Sequence, residues 1–215
     1  MKSPPELVNS MAIETSTGFR TFNLYAGSIT ESTDPLSVVS GSRKKDYPGG
    51  QVIDALERSH DISFKKITPV VNFGNGVGTF EVDPAPASPP WKLLLVGLPG
   101  AEGIGAPSAG LLEMFNHGLW SLFGSLAALE LRGERFSSMS LPVLGGNREY
   151  SADFVVSNLL KQSIEWLGTS QSMKTINAWV YDEDMINTWI DAMDAVLERN
   201  TVSSATDSVA QALKH

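Results

Sequence analysis

The sequence contains no cysteine among its 215 residues. Disulfide bonds, thiolate metal sites and cysteine nucleophiles are therefore excluded, and the absence fits a reducing compartment. No apolar run approaches the ~20 residues that a membrane-spanning helix requires. The N-terminal segment also lacks the apolar core of a secretory signal. We therefore expect a cytoplasmic protein that does not interact with membranes.

Basic residues are scarce as well, with 16 Lys and Arg against 24 Asp and Glu and a formal net charge of −8. Binding to duplex nucleic acid depends on neutralising phosphates with basic side chains, so the composition argues against that partner. The tightest basic run, Arg43-Lys44-Lys45, is typical of a solvated loop. It also suits the binding of one small anion.

Several well-known catalytic motifs are missing. The sequence contains neither GxxxxGK[ST], which excludes a P-loop nucleotidase, nor GxSxG. The three histidines, His60, His117 and His215, have no partner at metal-ligand spacing, and we expect neither a metal nor a cofactor. The acidic run 182–184 falls where a strand leads into a helix, which favours a helix-capping role over a catalytic carboxylate pair.

Strand patterns alternate with helical patterns through most of the chain. This alternation predicts an α/β fold with a largely parallel sheet between layers of helices. We expect an N-terminal arm over 1–18, one domain over 19–200 and a C-terminal tail over 201–215. The alternating segment SFKKIT also suits a strand. The other predicted strands are Phe22–Gly27, Leu36–Ser42, Thr79–Val82, Trp91–Gly97, Phe136–Leu144 and Thr175–Tyr181, and the predicted helices are Gly50–Ser59, Ser108–Gly133, Ala152–Leu167 and Glu183–Arg199.

Three glycine-bearing loops follow predicted strands: DYPGGQV, LPGAEGIGAPSAG and VLGGNREYS. In such folds ligands bind outside the carboxyl ends of the strands. Glycine lets the backbone approach an anion, and a helix N-terminus offers it unpaired N–H groups. The first and third loops therefore suit a diphosphate held between them. In the second loop the helix begins only after Pro107, so its glycines do not form the tight strand–helix junction of a dinucleotide fingerprint.

Five segments, taken in order, resemble the successive motifs of the macro domain family over roughly residues 22–198. The resemblance implies a three-layer α/β/α fold with a mixed, largely parallel central sheet. It also implies binding of ADP-ribose or a related NAD-derived nucleotide, since the family binds such ligands. The five segments are NLYAGSIT, SVVSGSRKKDYPGGQVIDAL, LLLVGLPG, SLPVLGGNREYSADFVVSNLL and INAWVYDEDMINTWIDAM.

The resemblance also gives individual positions a role in ligand binding. Tyr181 would offer its ring to the adenine, Ile29 would flank it, and Ser28 stands where the family usually carries an acidic residue. Ser40 to Arg43 would lie near the distal ribose. Main-chain N–H groups would wrap the diphosphate from two loops, whose members are Gly49, Gly50, Gln51 and Val52 in the first and Gly145, Gly146, Asn147 and Arg148 in the second.

The departures from the family pattern concern catalysis more than binding. Arg43 takes the place of an asparagine that positions ribose and water in hydrolytic members, and an arginine cannot accept a hydrogen bond. Only Gln51 follows the first glycine pair, where glycohydrolases carry paired glutamates. We therefore expect a reader or sensor module with little hydrolase activity. Two alternatives stay open: a hydrolase with a non-standard turn, using Asp46 or Glu149 as base, and a ligand-free scaffold that forms a homodimer.

Overall fold

The computed structural model describes residues 4–44, 47–49, 51–60, 62–74, 76–83, 89–98, 109–144 and 150–198, with the backbone alone for 42–44, 47–49 and 60. The strands are β1 (Glu6–Thr15), β2 (Gly18–Ala26), β3 (Leu36–Lys44), β4 (Tyr47–Gly49), β5 (Ile67–Gly74), β6 (Val77–Val82), β7 (Lys92–Gly97), β8 (Ser138–Pro142) and β9 (Thr175–Val180). The helices are α1 (Gln51–His60), α2 (Ala109–Leu131), α3 (Ala152–Thr169) and α4 (186–198). None of these helices is both long and apolar enough to cross a bilayer.

One sheet contains eight of the strands in the order β1-β2-β9-β8-β3-β7-β6-β5, and β4 pairs with β3 beside it. The five strands from β2 to β7 in this order are mutually parallel. Strands β1 and β6 run antiparallel to them at the two sides, and β5 pairs antiparallel with β6. The predicted mixed, largely parallel sheet is confirmed.

Helices cover both faces of the sheet, because the inner strands are apolar on both sides. Val38 and Leu94 face the layer that contains α2, α3 and α4. Their neighbours Val39 and Leu95 point the opposite way and pack with the α1 side chains Ile53 and Leu56, as the alternation of side chains along a strand requires. The predicted three-layer α/β/α arrangement is therefore also confirmed.

Strand β1 lies within the segment that we expected to be an arm. It pairs antiparallel with β2 along its whole length, and its register shifts between Leu7 and Asn9. This irregularity interrupts the apolar alternation that would have identified a strand, and Met11 and Ile13 are only partly buried. The division of the chain at residues 18 and 200 stays a prediction, and the tail 201–215 lies outside the described residues.

The strand expected in SFKKIT is wrong for most of that segment, since β5 begins at Ile67. Phe64 lies in a turn, fully buried under α1, while its neighbours Ser63 and Lys65 are exposed. A single buried residue between polar neighbours thus produced the alternation of a strand.

Candidate functional site

The carboxyl ends of the five parallel strands meet at one edge of the sheet, which we call the carboxyl edge. Every residue predicted to contact the ligand lies either in β3 from Ser40 onward or in the chain that follows β2, β3, β8 or β9. The carboxyl ends of these four strands lie at the same edge, in the lateral order β2, β9, β8, β3. Contact between these residues and a ligand stays a prediction.

Strands β3 and β8 are neighbours in the sheet, paired through Ser37 and Ser140. The chain connections that leave these two strands lead to opposite faces of the sheet. The chain that leaves β3 enters α1 on one face, and the chain that leaves β8 enters α3 on the other. Such a switch point opens a crevice outside the strand ends. Both helices begin near it, at Gln51 and Ala152, so their unpaired N–H groups lie at the carboxyl edge.

The turn after β2 depends on Gly27, whose φ of 139° favours glycine and whose N–H donates to the Val180 carbonyl at 2.9 Å. Ser28 caps the short 3-10 helix Ile29–Glu31 by accepting from the Thr30 N–H at 3.4 Å. Both Ser28 and Ile29 are buried. The Ser28 hydroxyl thus has a partner within the protein. This capping role was not evident when Ser28 was considered only as the replacement for the family's acidic residue.

Aromatic side chains mark the neighbouring end of β9. Tyr181 follows the strand and exposes 60% of its surface. Behind it Trp179 is buried and stacks on Tyr25 of β2, with ring centroids 4.9 Å apart and an interplanar angle of 17°. Sequence reasoning missed this pair, because the contact depends on the register between β2 and β9, in which Tyr25 lies opposite Trp179.

The segment after β3 differs from the polar loop that we expected. Strand β3 continues to Lys44, and β4 returns beside it with Arg43 opposite Pro48 and Ser42 opposite Gly49. Charged residues, proline and glycine are depleted in strands, so the residue types here do not indicate a hairpin. Helix α1 begins at Gln51, two residues after Gly49. Gln51 is exposed, Ser40 is half-buried, and Val52 packs against the α1 core.

Several predicted site residues lie outside the described residues: Asp46, Gly50, Gly145, Gly146, Asn147, Arg148 and Glu149. The two ends of the third loop are well anchored, however. Leu144 is fully buried, and the buried Tyr150 packs its ring on Phe115 at 4.8 Å. Ser151 then caps α3 by accepting from the Phe154 N–H at 3.4 Å. The described residues on either side of this loop, Leu144 and Tyr150, therefore lie in well-packed surroundings, whereas the loop's role stays a prediction.

No protein-family model matches the sequence, and no curated protein matches it. Solved structures do match. An Oceanobacillus iheyensis macrodomain with MES bound has a TM-score of 0.58 and 14% identity, covering 89% of this chain and 98% of that one. A structure of the Oceanobacillus iheyensis macrodomain with ADP gives 0.58 and 15%, covering 92% and 100%. A Trypanosoma brucei macrodomain in complex with ADP-ribose gives 0.55 and 17%, covering 78% and 67%.

This chain has the macrodomain fold. The resemblance inferred from the order of five motifs is thereby confirmed at the level of the fold. The low identities show that this sequence has diverged far from those of its structural neighbours. They also explain why motif order carried more information than any single motif.

The acidic turn after β9 has the capping role that the sequence favoured. The Asp182 carboxylate accepts from the Asp184 N–H at 3.2 Å at the start of the 3-10 turn Glu183–Met185. His117 is half-buried between the rings of Phe73 and Trp120, at 5.6 and 5.2 Å. In the described part of the chain, no group of three or more His, Asp or Glu residues is placed to hold a metal ion.

The ion pairs among described side chains lie at the opposite edge of the sheet, where the parallel strands begin. Lys92, the first residue of β7, bridges Glu81 and Glu134, the latter at 2.8 Å. Burial alone would lower the pKa of Lys92, but hydrogen bonds to the two carboxylates outweigh it and raise that pKa. This network stabilises the fold and lies at the edge opposite the candidate site.

Proposed function

We propose that this macrodomain binds ADP-ribose or a related NAD-derived nucleotide at the carboxyl edge, with the diphosphate in the crevice between β3 and β8. The observation that carries the proposal is the divergence of α1 and α3 to opposite faces from neighbouring strands. Although the two helices cover opposite faces, both begin at the carboxyl edge. Each N-terminus has unpaired N–H groups and partial positive charge, which favour a phosphate. Two structural neighbours, with ADP and with ADP-ribose, support the choice of ligand.

The same arrangement supports a base-binding end beside the phosphates. Tyr181 is exposed next to the turn formed by Gly27 and Ser28, because β2 and β9 are adjacent. The buried stack of Trp179 on Tyr25 gives this corner a rigid base. An exposed aromatic ring above a rigid base suits stacking with a nucleobase.

The role we propose is that of a reader or sensor with little hydrolase activity. The reason lies at the end of β3 and the start of α1. By the family resemblance, Arg43 stands there in place of an asparagine and a single Gln51 in place of paired glutamates. A guanidinium offers donors for phosphate or carboxylate but no acceptor to orient an attacking water. Binding and hydrolysis are therefore expected to separate in this chain.

Calorimetric titration with ADP-ribose, NAD and AMP tests the binding proposal. We expect saturable heat with ADP-ribose and a weaker response with AMP, which lacks the diphosphate and the second ribose. Gly146→Glu should abolish binding, because it adds volume and negative charge in the third loop. Gly168→Glu is the matched control, since Gly168 lies near the C-terminal end of α3 with open space around it.

Three results would overturn the proposal in different ways. Absence of heat with all three nucleotides at high protein concentration would remove nucleotide binding altogether. Release of ADP-ribose from a modified substrate, lost in Asp46→Ala or Glu149→Ala, would replace the reader with a hydrolase. A concentration-dependent dimer that ignores nucleotides would favour the scaffold.

A further inference from the structure

Arg20 is a buried cation for which the described residues supply no counter-charge. It belongs to β2, is 6% exposed, and no carboxylate pairs with it among the residues that the structure describes. Its Nη2 donates to the Thr17 hydroxyl at 2.8 Å, and its Nε–H is buried without an acceptor. An arginine side chain stays charged in proteins, and buried charges are normally paired. Some acceptor is therefore missing.

A second orphaned donor comes from α3. The Trp166 side chain is 8% exposed, and its indole Nε1–H is buried without a partner. The hydroxyl of Ser163, one turn earlier on the same helix, is fully buried and also has no partner. An indole N–H can only donate. Arg20 and Trp166 therefore cannot satisfy each other.

The packing of α3 on the sheet brings the two donors to the same end of the molecule. The helix lies against β1 and β2, and Val156 and Leu159 line a small cavity together with Phe22 and Leu24. Because side chains alternate along a strand, Arg20 faces the same layer as Phe22 and lies about 7 Å nearer the beginning of β2.

The helix runs in the opposite direction to the strand at this contact. From Leu159, steps of four and three residues lead to Ser163 and Trp166, which are buried on the same helix nearer its C-terminal end. That end leads directly to the beginning of β9, where the Lys174 carbonyl accepts from the Thr21 N–H at 2.9 Å. Thr21 is next to Arg20 in the chain. Trp166 therefore lies near the beginning of β2, the end of the strand to which Arg20 belongs.

We propose that Arg20 and Trp166 form a buried site for a small inorganic anion of the size of chloride, with Ser163 as a further donor. Water could accept both N–H groups but would leave the guanidinium charge uncompensated in a region shielded from solvent. An anion supplies the acceptors and the opposite charge together. The site lies where the parallel strands begin, at the edge opposite the proposed nucleotide crevice, so it does not rest on the proposed function.

Anion-specific stabilisation of the full chain tests this site. Thermal unfolding is followed in chloride from about 10 to about 500 mM, with gluconate, which is too large to enter, keeping the ionic strength constant. Ligand linkage predicts that the midpoint rises with the logarithm of chloride concentration, by about 3–6 °C over this range. Bromide should act like chloride. Equal midpoints in chloride and gluconate would contradict the site.

Variants separate the buried site from general salt effects. Trp166→Phe keeps an aromatic ring and removes the N–H, so it should reduce the response to chloride. Arg20→Met should abolish it. Arg58→Met is the matched control, because Arg58 is exposed on α1 and its Nε donates to the Asp54 carbonyl at 3.0 Å. An unchanged chloride response in Trp166→Phe and Arg20→Met would sink the proposal.

A crystallographic measurement decides the question even if Arg20→Met does not fold. Crystals of the wild-type chain soaked in bromide should show an anomalous peak within hydrogen-bond distance of Arg20 Nε and Trp166 Nε1. A peak at that place supports the site. Density there without anomalous signal would identify water and overturn the proposal, as would the absence of any density.

Discussion

At the scale of single residues, close backbone approaches determine which positions tolerate a side chain. Gly97 ends β7 at the carboxyl edge, and a Cβ atom there would lie 2.0 Å from the Gly76 carbonyl oxygen. A contact with backbone cannot be relieved by rotating a side chain. The opposite case is Gly168 in α3, where an added Cβ would meet nothing within 4 Å.

These two glycines give a matched pair of substitutions. We expect Gly97→Ala to reduce the free energy of unfolding by about 3 kcal/mol, because the sheet must distort to admit the methyl group. Gly168→Ala should instead raise it by up to about 1 kcal/mol, because alanine favours the helix. Urea unfolding measures both. Similar values for the two variants would show that the backbone at Gly97 yields easily.

At the scale of secondary-structure elements, one carboxylate ties α2 to the turn that precedes β9. Glu130 accepts from the Ser170 hydroxyl at 2.6 Å, the Ser172 N–H at 3.0 Å and the Gln171 N–H at 3.2 Å. Burial would raise the pKa of Glu130, but these donors, together with the Ser172 hydroxyl, outweigh it and lower that pKa below its ordinary value of 4.5.

This tie predicts a contribution to stability that depends on pH. Because the pKa of Glu130 is lower in the folded chain, the contribution is complete above about 4.5 and disappears as the pH falls through the folded-state pKa. Glu130→Gln should cost about 1–2 kcal/mol at neutral pH and less in acid. Glu165→Gln, an exposed position on α3, is the control. A loss that does not change between neutral and acid pH would contradict the assignment.

The N-terminus of α3 is a second element with a testable support. Ser151→Ala removes the acceptor for the Phe154 N–H and should cost about 1 kcal/mol of stability, whereas Ser151→Asp should retain it. If α3 helps to hold a diphosphate, the alanine variant should also weaken ADP-ribose binding. Unfolding and calorimetry on the same three proteins separate the two effects. Full affinity in Ser151→Ala would show that this helix end does not need its cap to hold the ligand.

The prediction of helices and strands from the sequence succeeded for some elements and failed for others. The apolar run of β7 and the three- and four-residue steps of α2 placed both correctly, because burial on a regular element leaves a periodic record. Strand β1 left none, since its register shift and half-exposed position break the alternation. The β3–β4 hairpin is held by backbone pairing, which residue types such as Arg43 and Pro48 do not reveal.

The position of the candidate site residues at one edge of the sheet could be predicted for a different reason, while their contact with a ligand stays a prediction. Ser28, Gln51 and Tyr181 are far apart in the sequence, and only the parallel topology brings the ends of their strands together. Alternation of strands and helices implies that topology, so the carboxyl edge followed from the pattern. Trp179 could not be recognised in this way, because an apolar strand contains aromatic residues for many reasons. Its pairing with Tyr25 depends on the exact register between β2 and β9.

At the scale of the whole molecule, a protein of net charge −8 is proposed to bind an anionic ligand. General electrostatics therefore oppose the encounter, and affinity must come from local N–H groups. The main-chain donors proposed for the diphosphate are dipoles rather than charges, so salt screens their interaction with phosphate only weakly. Salt also screens the repulsion between the acidic protein and the anionic ligand, which favours binding.

These two effects predict an unusual salt dependence. When sodium chloride is raised from about 20 to about 300 mM, ADP-ribose affinity should fall by less than about threefold, or rise. A diphosphate held mainly by Arg43 or Arg148 would instead lose affinity steeply, because salt competes with charged side chains. Calorimetry across this range, repeated on Arg43→Ser, distinguishes the two arrangements. A loss of more than about tenfold that disappears in Arg43→Ser would transfer the diphosphate from the backbone to that guanidinium.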